Sequence, residues 1–268
     1  MAPTQRDRIG RIWAPVYLDR LGPFRLVLDT GANRSAIVPR VVEALGSRAR
    51  SAAPLRMRGV TGTAIVPAIR IGRMEIGDLT LAPVTLPIVQ DVFGGADGVL
   101  GSEGLADKRI MIDFKRDSIS IKRSHRERPG EGFQTLPITL MRGQLLVVDI
   151  LIGRVRAKAI VDTGAPNSLG NGALLEALKK RAAEGTETEI VGVTLDVQHG
   201  NRVRLPTIQM KSVRISGAVM TFSDVYIFQH WDMTREPTLL LGMDVLGVLQ
   251  QLIIDYKTRE LHVLTRGG

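Results

Sequence analysis

Residues 26–32 read Leu26-Val27-Leu28-Asp29-Thr30-Gly31-Ala32, and residues 159–165 read Ala159-Ile160-Val161-Asp162-Thr163-Gly164-Ala165. Each is an apolar, strand-like run that ends in Asp-Thr-Gly-Ala, and the second follows the first by 133 residues. Leu45 with Leu178, and Gly59-Val60-Thr61 with Gly192-Val193-Thr194, keep that spacing. Further on, Val99-Leu100-Gly101 matches Leu240-Leu241-Gly242, and Ile112-Asp113-Phe114 matches Ile254-Asp255-Tyr256, at a spacing of 141 or 142. The second copy therefore carries about eight extra residues, and the chain is one unit used twice.

The duplication predicts two similar lobes, 1–128 and 129–268, each of ordinary domain size. They meet in a polar linker over 123–132, which Pro129 and Gly132 punctuate. Apolar residues make up 44% of the chain but aromatics only 4%, so Val, Ile and Leu must fill the core. There is no cysteine, which excludes disulfides, thiol nucleophiles and cysteine metal sites and leaves the redox compartment open. The formal charge of +9 is spread along the chain, with its tightest group (Lys122, Arg123, Arg126, Arg128) at the linker, so nucleic-acid binding is not expected.

No apolar run is long enough for a membrane helix, since 239–254 is broken by Asp244, Gln250 and Gln251. The first residues show no export signal, so the chain is expected in the cytoplasm, or in the periplasm or medium if a signal was removed. His125, His199, His230 and His262 have no ligand spacing and read as surface or loop histidines, and no metal or cofactor is expected.

Short strands separated by turn signals give an all-β reading with few helices. Strands are expected at 13–18 and 24–28 around a turn at 20–23, and 47–54 reads as a loop. A hairpin over 55–71 turns near Val60-Thr61-Gly62; a second over 189–208 is expected to turn at Gln198-His199-Gly200-Asn201. Short helices are expected at 41–45, 101–106, 173–183 and 243–248, strands around Ile215 and Tyr226, and closing hairpins around 115–117 and 257–259.

A lone Asp-Thr-Gly is an unremarkable turn. Two copies in a duplicated chain are different, because equivalent loops near a pseudo-two-fold axis meet. That brings Asp29 and Asp162 face to face, and two carboxylates about 3 Å apart share one proton. Such a pair can hold a water, one carboxylate acting as general base while the protonated one hydrogen-bonds the carbonyl under attack. Gly31 and Gly164 permit the tight turn and the approach of backbone N–H groups, and Thr30 and Thr163 can lock the loops together.

The chain resembles the pepsin/retropepsin aspartic peptidases, whose lobes each carry a hydrophobic-hydrophobic-Asp-Thr/Ser-Gly motif and a later hydrophobic-hydrophobic-Gly motif. Both occur twice here, as Leu28-Asp29-Thr30-Gly31 with Val99-Leu100-Gly101 and as Val161-Asp162-Thr163-Gly164 with Leu240-Leu241-Gly242. Asp-Thr-Gly-Ala rather than Asp-Thr-Gly-Ser is most similar to bacterial retropepsin-like proteins with both lobes fused. Those peptidases are themselves the standard instance of carboxylates sharing a proton, so that effect comes with the resemblance.

The resemblance implies a bilobal all-β fold and an aspartic endopeptidase. Asp29 and Asp162 would be the catalytic dyad, supported by Thr30, Gly31, Ala32, Thr163, Gly164 and Ala165. The flap would be drawn from Val60, Thr61 and Gly62 or from His199 and Gly200. The partner would be a peptide or protein substrate, and one chain with both motifs is expected to be a monomer.

The chain also departs from that pattern. Neither candidate flap has the tyrosine of pepsin-like members, and Asp244 follows the second Leu-Gly where the first copy has Ser102-Glu103. Asp91, Asp97 and Asp113 read as turn or strand-end residues, and Trp231-Asp232 as a loop packed on the second lobe or a pocket wall. Ala32 and Ala165 offer no hydroxyl to the dyad, which predicts a less acidic optimum than pepsin's. The alternative is a peptide- or protein-binding module on the same fold with its dyad idle.

Overall fold

The computed structural model describes residues 2–3, 10–142, 145–178, 186–191 and 194–265. Val, Ile and Leu fill its strands, as sparse aromatics require, and helices are short: Pro39–Leu45, Gly172–Leu178, Tyr226–His230 and Met243–Leu246. The fold is an all-β bilobal one.

Each lobe has a sheet with the same central order. In the first, Ala36–Ile37, Gly98–Leu100, Leu21–Leu28 and Trp13–Leu18 lie side by side. In the second, Leu169–Gly170, Thr238–Leu241, Val155–Val161 and Leu145–Ile152 repeat that order. The strand entering each Asp-Thr-Gly runs parallel to the strand of the later apolar-apolar-Gly motif, with Leu28 opposite Leu100 and Val161 opposite Leu241. Where they meet, at Leu26–Leu28 with Gly98–Leu100 and at Ala159–Val161 with Leu239–Leu241, these strands are buried on both faces, which is why those stretches read as unbroken apolar runs.

A third layer joins the halves. The closing hairpins Lys108–Asp113/Ser118–Arg123 and Leu249–Asp255/Glu260–Thr265 pair along their inner strands, Ile110 opposite Ile254, and Gln134–Pro137 and Ala2–Pro3 complete a six-stranded antiparallel sheet. A buried ion pair crosses it, Arg109 Nη1 to Asp255 Oδ2 at 3.1 Å, with Ser124 Oγ donating to the same oxygen at 2.8 Å.

Several sequence expectations are corrected. Residues 50–54 are not loop but the start of strand Arg50–Arg58, which pairs with Thr63–Ile71. The turn expected at 20–23 lies one or two residues earlier, because Asp19 and Arg20 adopt the left-handed conformation and Leu21 already begins the strand. No helix follows Gly101; turns occupy that stretch, and Gly104 takes φ +77°. Tyr226 opens a helix of five residues rather than a strand, too short for any period to show. Of the helix expected at 173–183, the part after Leu178 lies outside the described residues.

The second hairpin is formed by Thr186–Val191 and Val197–Arg204, so Gln198–Asn201 lie within its second strand and are not its turn. His199 sits mid-strand opposite Glu189, and Gly200 opposite Thr188. Gly200 is needed for closeness: a Cβ there would stand 2.8 Å from the Phe222 carbonyl oxygen of the neighbouring strand. His262 is likewise not a surface residue; it is buried in the inter-lobe sheet, Nδ1 2.8 Å from Thr135 Oγ1.

Candidate active site

The two Asp-Thr-Gly loops meet at the inter-lobe axis. Thr30 Oγ1 donates to the Val161 carbonyl (2.7 Å) and accepts from Thr163 N–H (3.1 Å). Thr163 Oγ1 donates to the Leu28 carbonyl (2.6 Å) and accepts from Thr30 N–H (3.2 Å). Both threonines are fully buried, so these four bonds form away from competing water.

Each aspartate is fixed by its own turn. Asp29 Oδ1 accepts from the N–H groups of Gly31 and Ala32 at 2.9 and 3.0 Å, and Asp162 Oδ1 from those of Gly164 and Ala165 at 2.9 and 3.0 Å. The strand behind holds the backbone: Asp29 N–H donates to Leu100 O (2.9 Å) and Asp162 N–H to Leu241 O (3.0 Å). A Cβ on Gly31 would stand 2.6 Å from Asp162 Oδ2, and one on Gly164 would collide with the Asp29 carboxyl. Each carboxyl therefore lies over the other lobe's glycine, and the pair faces itself across the axis.

Burial, then the charge of Asp162, holds the Asp29 carboxyl well above its ordinary value, while the Gly31 and Ala32 N–H groups pull the other way. Burial also raises Asp162, opposed by the N–H groups of Ala165 and Gly164 and by its hydrogen bond with Asp29. The pair therefore titrates as one unit and retains a proton between its members.

Two serines at the 133-residue spacing, not singled out in the sequence, brace the loops. Ser35 Oγ accepts from Gly101 N–H (3.0 Å) and Ser35 N–H donates to Glu103 (2.7 Å). Ser168 Oγ accepts from Gly242 N–H (2.9 Å) and donates to Asp244 (2.6 Å), which also receives Ser168 N–H at 3.0 Å. Glu103 and Asp244 hence do equivalent work with side chains of different length. Gly101 and Gly242 are required because a Cβ on either would meet the loop backbone, 2.5 Å from Arg34 C and 2.8 Å from Asn167 C.

The hairpins close over this floor. Gly59 N–H donates to Gly62 O at 2.8 Å in the first tip, as expected for a turn at Val60-Thr61-Gly62. Val60 packs on the second lobe's apolar cluster around Ile190, Ile227 and Trp231, and its carbonyl accepts from Ile227 N–H at 3.1 Å. Thr61 Oγ1 lies 3.2 Å from Thr194 Oγ1 of the second tip. Beneath is a cleft of about 480 Å³ that contains both aspartates, walled by Phe93, Val99, Ile190, Ile227 and Trp231 among others. Trp231 is thus both packed and cleft-lining.

The remaining acids behave as structural residues. Asp113 caps the turn at Lys115 and Arg116, while Asp91 and Asp97 hold Arg40. Among the described residues, no cluster of His, Cys, Asp or Glu could hold a metal ion, and no helix is long and apolar enough to cross a membrane. Tyr256, at the position of Phe114 in the first lobe, is buried with its hydroxyl unpartnered among the described residues. Burial and the charge of Asp29 keep its phenol protonated.

Two β-lobes that bring paired Asp-Thr-Gly loops together at their junction, under closing hairpins, define a protein of the aspartic peptidase class. The aspartyl protease family model matches residues 14–103 and again 148–245, more than two thirds of the chain. The chain belongs to the aspartyl protease family. Comparison with curated proteins finds no significant match.

Proposed function

We propose that the protein is a single-chain aspartic endopeptidase, with lobes divided at 128/129 that contribute Asp29 and Asp162 to one dyad. The observation that carries this is the matched environment of the two carboxyls, each pinned through Oδ1 and facing the other across a roofed cleft. A binding module has no use for two like-charged groups held in a buried contact that costs stability.

In this reading an extended peptide lies in the cleft beneath the hairpins. A water between the carboxyls loses a proton to ionised Asp162 as its oxygen attacks the scissile carbonyl carbon. Protonated Asp29 hydrogen-bonds the carbonyl oxygen and passes its proton to it, so a tetrahedral diol results while Asp162 holds the proton taken from the water. Asp162 then gives that proton to the amide nitrogen, a diol hydroxyl returns one to Asp29, and the C–N bond breaks, leaving acid, amine and a dyad with one proton. The Gly31, Ala32, Gly164 and Ala165 N–H groups hold the carboxyls so that little reorganisation accompanies the charge movement.

The test is cleavage of a denatured protein substrate across mildly acidic pH, with a statine-type inhibitor as the competitor. Inhibitable cleavage is expected. Tight peptide binding without hydrolysis at any pH would leave the idle binding module in its place.

A further inference from the structure

The cleft carries a charge asymmetry that the proposed chemistry does not use. Arg11, Arg34, Arg58 and Arg202 line it, whereas Glu189 is the one described carboxylate on its walls besides the dyad. Arg34, Arg58 and Arg202 are exposed at the cleft, and none of their side chains makes an ion pair or hydrogen bond with a described residue. Arg40 and Arg109, by contrast, are paired, with Asp91 and Asp97 and with Asp255.

The lobes do not share the pattern. At the 133-residue spacing, Arg34 corresponds to Asn167 and Arg58 to Val191, and all four line the cleft. The positive field reaches the rim, where Arg142 donates to the Trp231 carbonyl at 3.2 Å. There, after burial, the charges of Arg58 and Arg142 help hold His230 below its ordinary value.

Like charges gathered in one concave, partly roofed site repel one another and focus a potential that attracts the opposite sign. The walls between them are apolar. We propose that the cleft selects extended peptides carrying acidic side chains beside an apolar scissile pair, with Arg34, Arg58 and Arg202 as specificity-determining residues. A guanidinium fork suits a carboxylate better than an ammonium would. This rests on the endopeptidase reading and adds a substrate class to it.

The test uses quenched fluorescent peptides with one apolar centre and flanks of Glu, Gln or Lys, assayed on the full chain. The ratio of kcat/KM for Glu over Gln flanks is expected to be about tenfold at an ionic strength of about 0.05 M and to shrink towards unity at about 0.5 M. Arg34→Gln, Arg58→Gln and Arg202→Gln should each lower that ratio several-fold and together abolish it. The ratio is internal to each preparation, so a loss of folded protein cannot imitate it. A ratio near one in the unaltered protein, or one untouched by the triple substitution, overturns the proposal and leaves the peptidase standing.

A second arm measures anisotropy of the same labelled peptides on the Asp29→Asn variant. Equal affinity for Glu and Gln flanks overturns acidic recognition. Preferential binding of Glu flanks with no cleavage by the unaltered protein supports the recognition and removes the endopeptidase. Competition by a single-stranded oligonucleotide as strong as by the acidic peptide would assign the charge to general anion binding and overturn the proposal.

Discussion

The hydroxyls of Thr61 and Thr194, 133 residues apart in the chain, lie 3.2 Å from each other and join the two hairpin tips above the dyad. The repeat that builds the floor therefore also builds the roof. Gly62 approaches Asp196 so closely that a Cβ would overlap its carboxylate, so the tips interlock as well as touch. On the endopeptidase reading, a peptide entering between the lobes would part them.

That geometry yields the first prediction. The chain has no cysteine, so Thr61→Cys with Thr194→Cys introduces a unique pair whose sulfurs start within reach of a bond. Oxidation should suppress cleavage of a protein substrate by at least about tenfold, and reduction should restore it. Unchanged turnover with the disulfide formed, as read by mass spectrometry, would show that substrate enters another way.

The threonine exchange below sets the second. Thr30→Val removes one donor and one acceptor and leaves the Val161 carbonyl and Thr163 N–H buried without partners. We expect a loss of about 2–4 kcal/mol in urea unfolding, with Thr30→Ser keeping most of it. A Val variant within about 0.5 kcal/mol of the parent would mean the exchange does not hold the lobes together.

How much of this was legible in the sequence follows from what each residue needs locally. The dyad loops declared themselves because a doubly buried strand must be apolar and a tight turn over a carboxyl must be Asp-Thr-Gly, twice. The first hairpin tip was legible from Gly59 and Gly62. The second was misplaced because Gly200 looks like a turn glycine when only a neighbouring strand's approach demands it, although Thr194 stood at the repeat spacing. Ser35 and Ser168 kept that spacing too, but serine is common enough to carry no signal alone. The arginines of the cleft were invisible: facing inward is a property of the fold, and +9 spread over 268 residues hides it.

The third prediction concerns pH and stability. Asp29 keeps its proton to higher pH in the folded chain than in the unfolded one. Between the ordinary value of 3.8 and the raised one, the folded state binds more protons. The stability tied to this group is therefore complete below 3.8 and is lost as pH climbs through that window. Asn at position 29 keeps the acceptor for the Gly31 and Ala32 N–H groups without the charge. Asp29→Asn should melt higher than the parent near neutral pH, each kcal/mol showing as about 2–4 °C, and lose the advantage in acid. A variant that melts lower at neutral pH would contradict the raised carboxyl.

Activity should follow the same pair. Both carboxyls are raised and, among the described residues, no hydroxyl donates to either, Ala32 and Ala165 giving only their N–H groups. The acid limb of kcat/KM should lie above the ordinary carboxylate value of 3.8, with the optimum on the mildly acidic side. A maximum below about pH 3, near the lower dyad value of pepsin, would contradict it.

Tyr256 supplies a smaller test. Its hydroxyl is buried without a partner among the described residues, where Phe114 serves the other lobe. Tyr256→Phe should be neutral or stabilise by about 1 kcal/mol in urea unfolding. A loss beyond about 1 kcal/mol would show that the hydroxyl is bonded after all.

Whether Asp29 and Asp162 act as one unit is tested most directly by comparing Asp29→Asn, Asp162→Asn and the double variant. Groups that share a proton and a water are non-additive, so each single substitution should reduce kcat by about as much as the pair together, several orders of magnitude. Substantial turnover in either single variant, or losses that multiply in the double, would show that the two carboxyls do not work together.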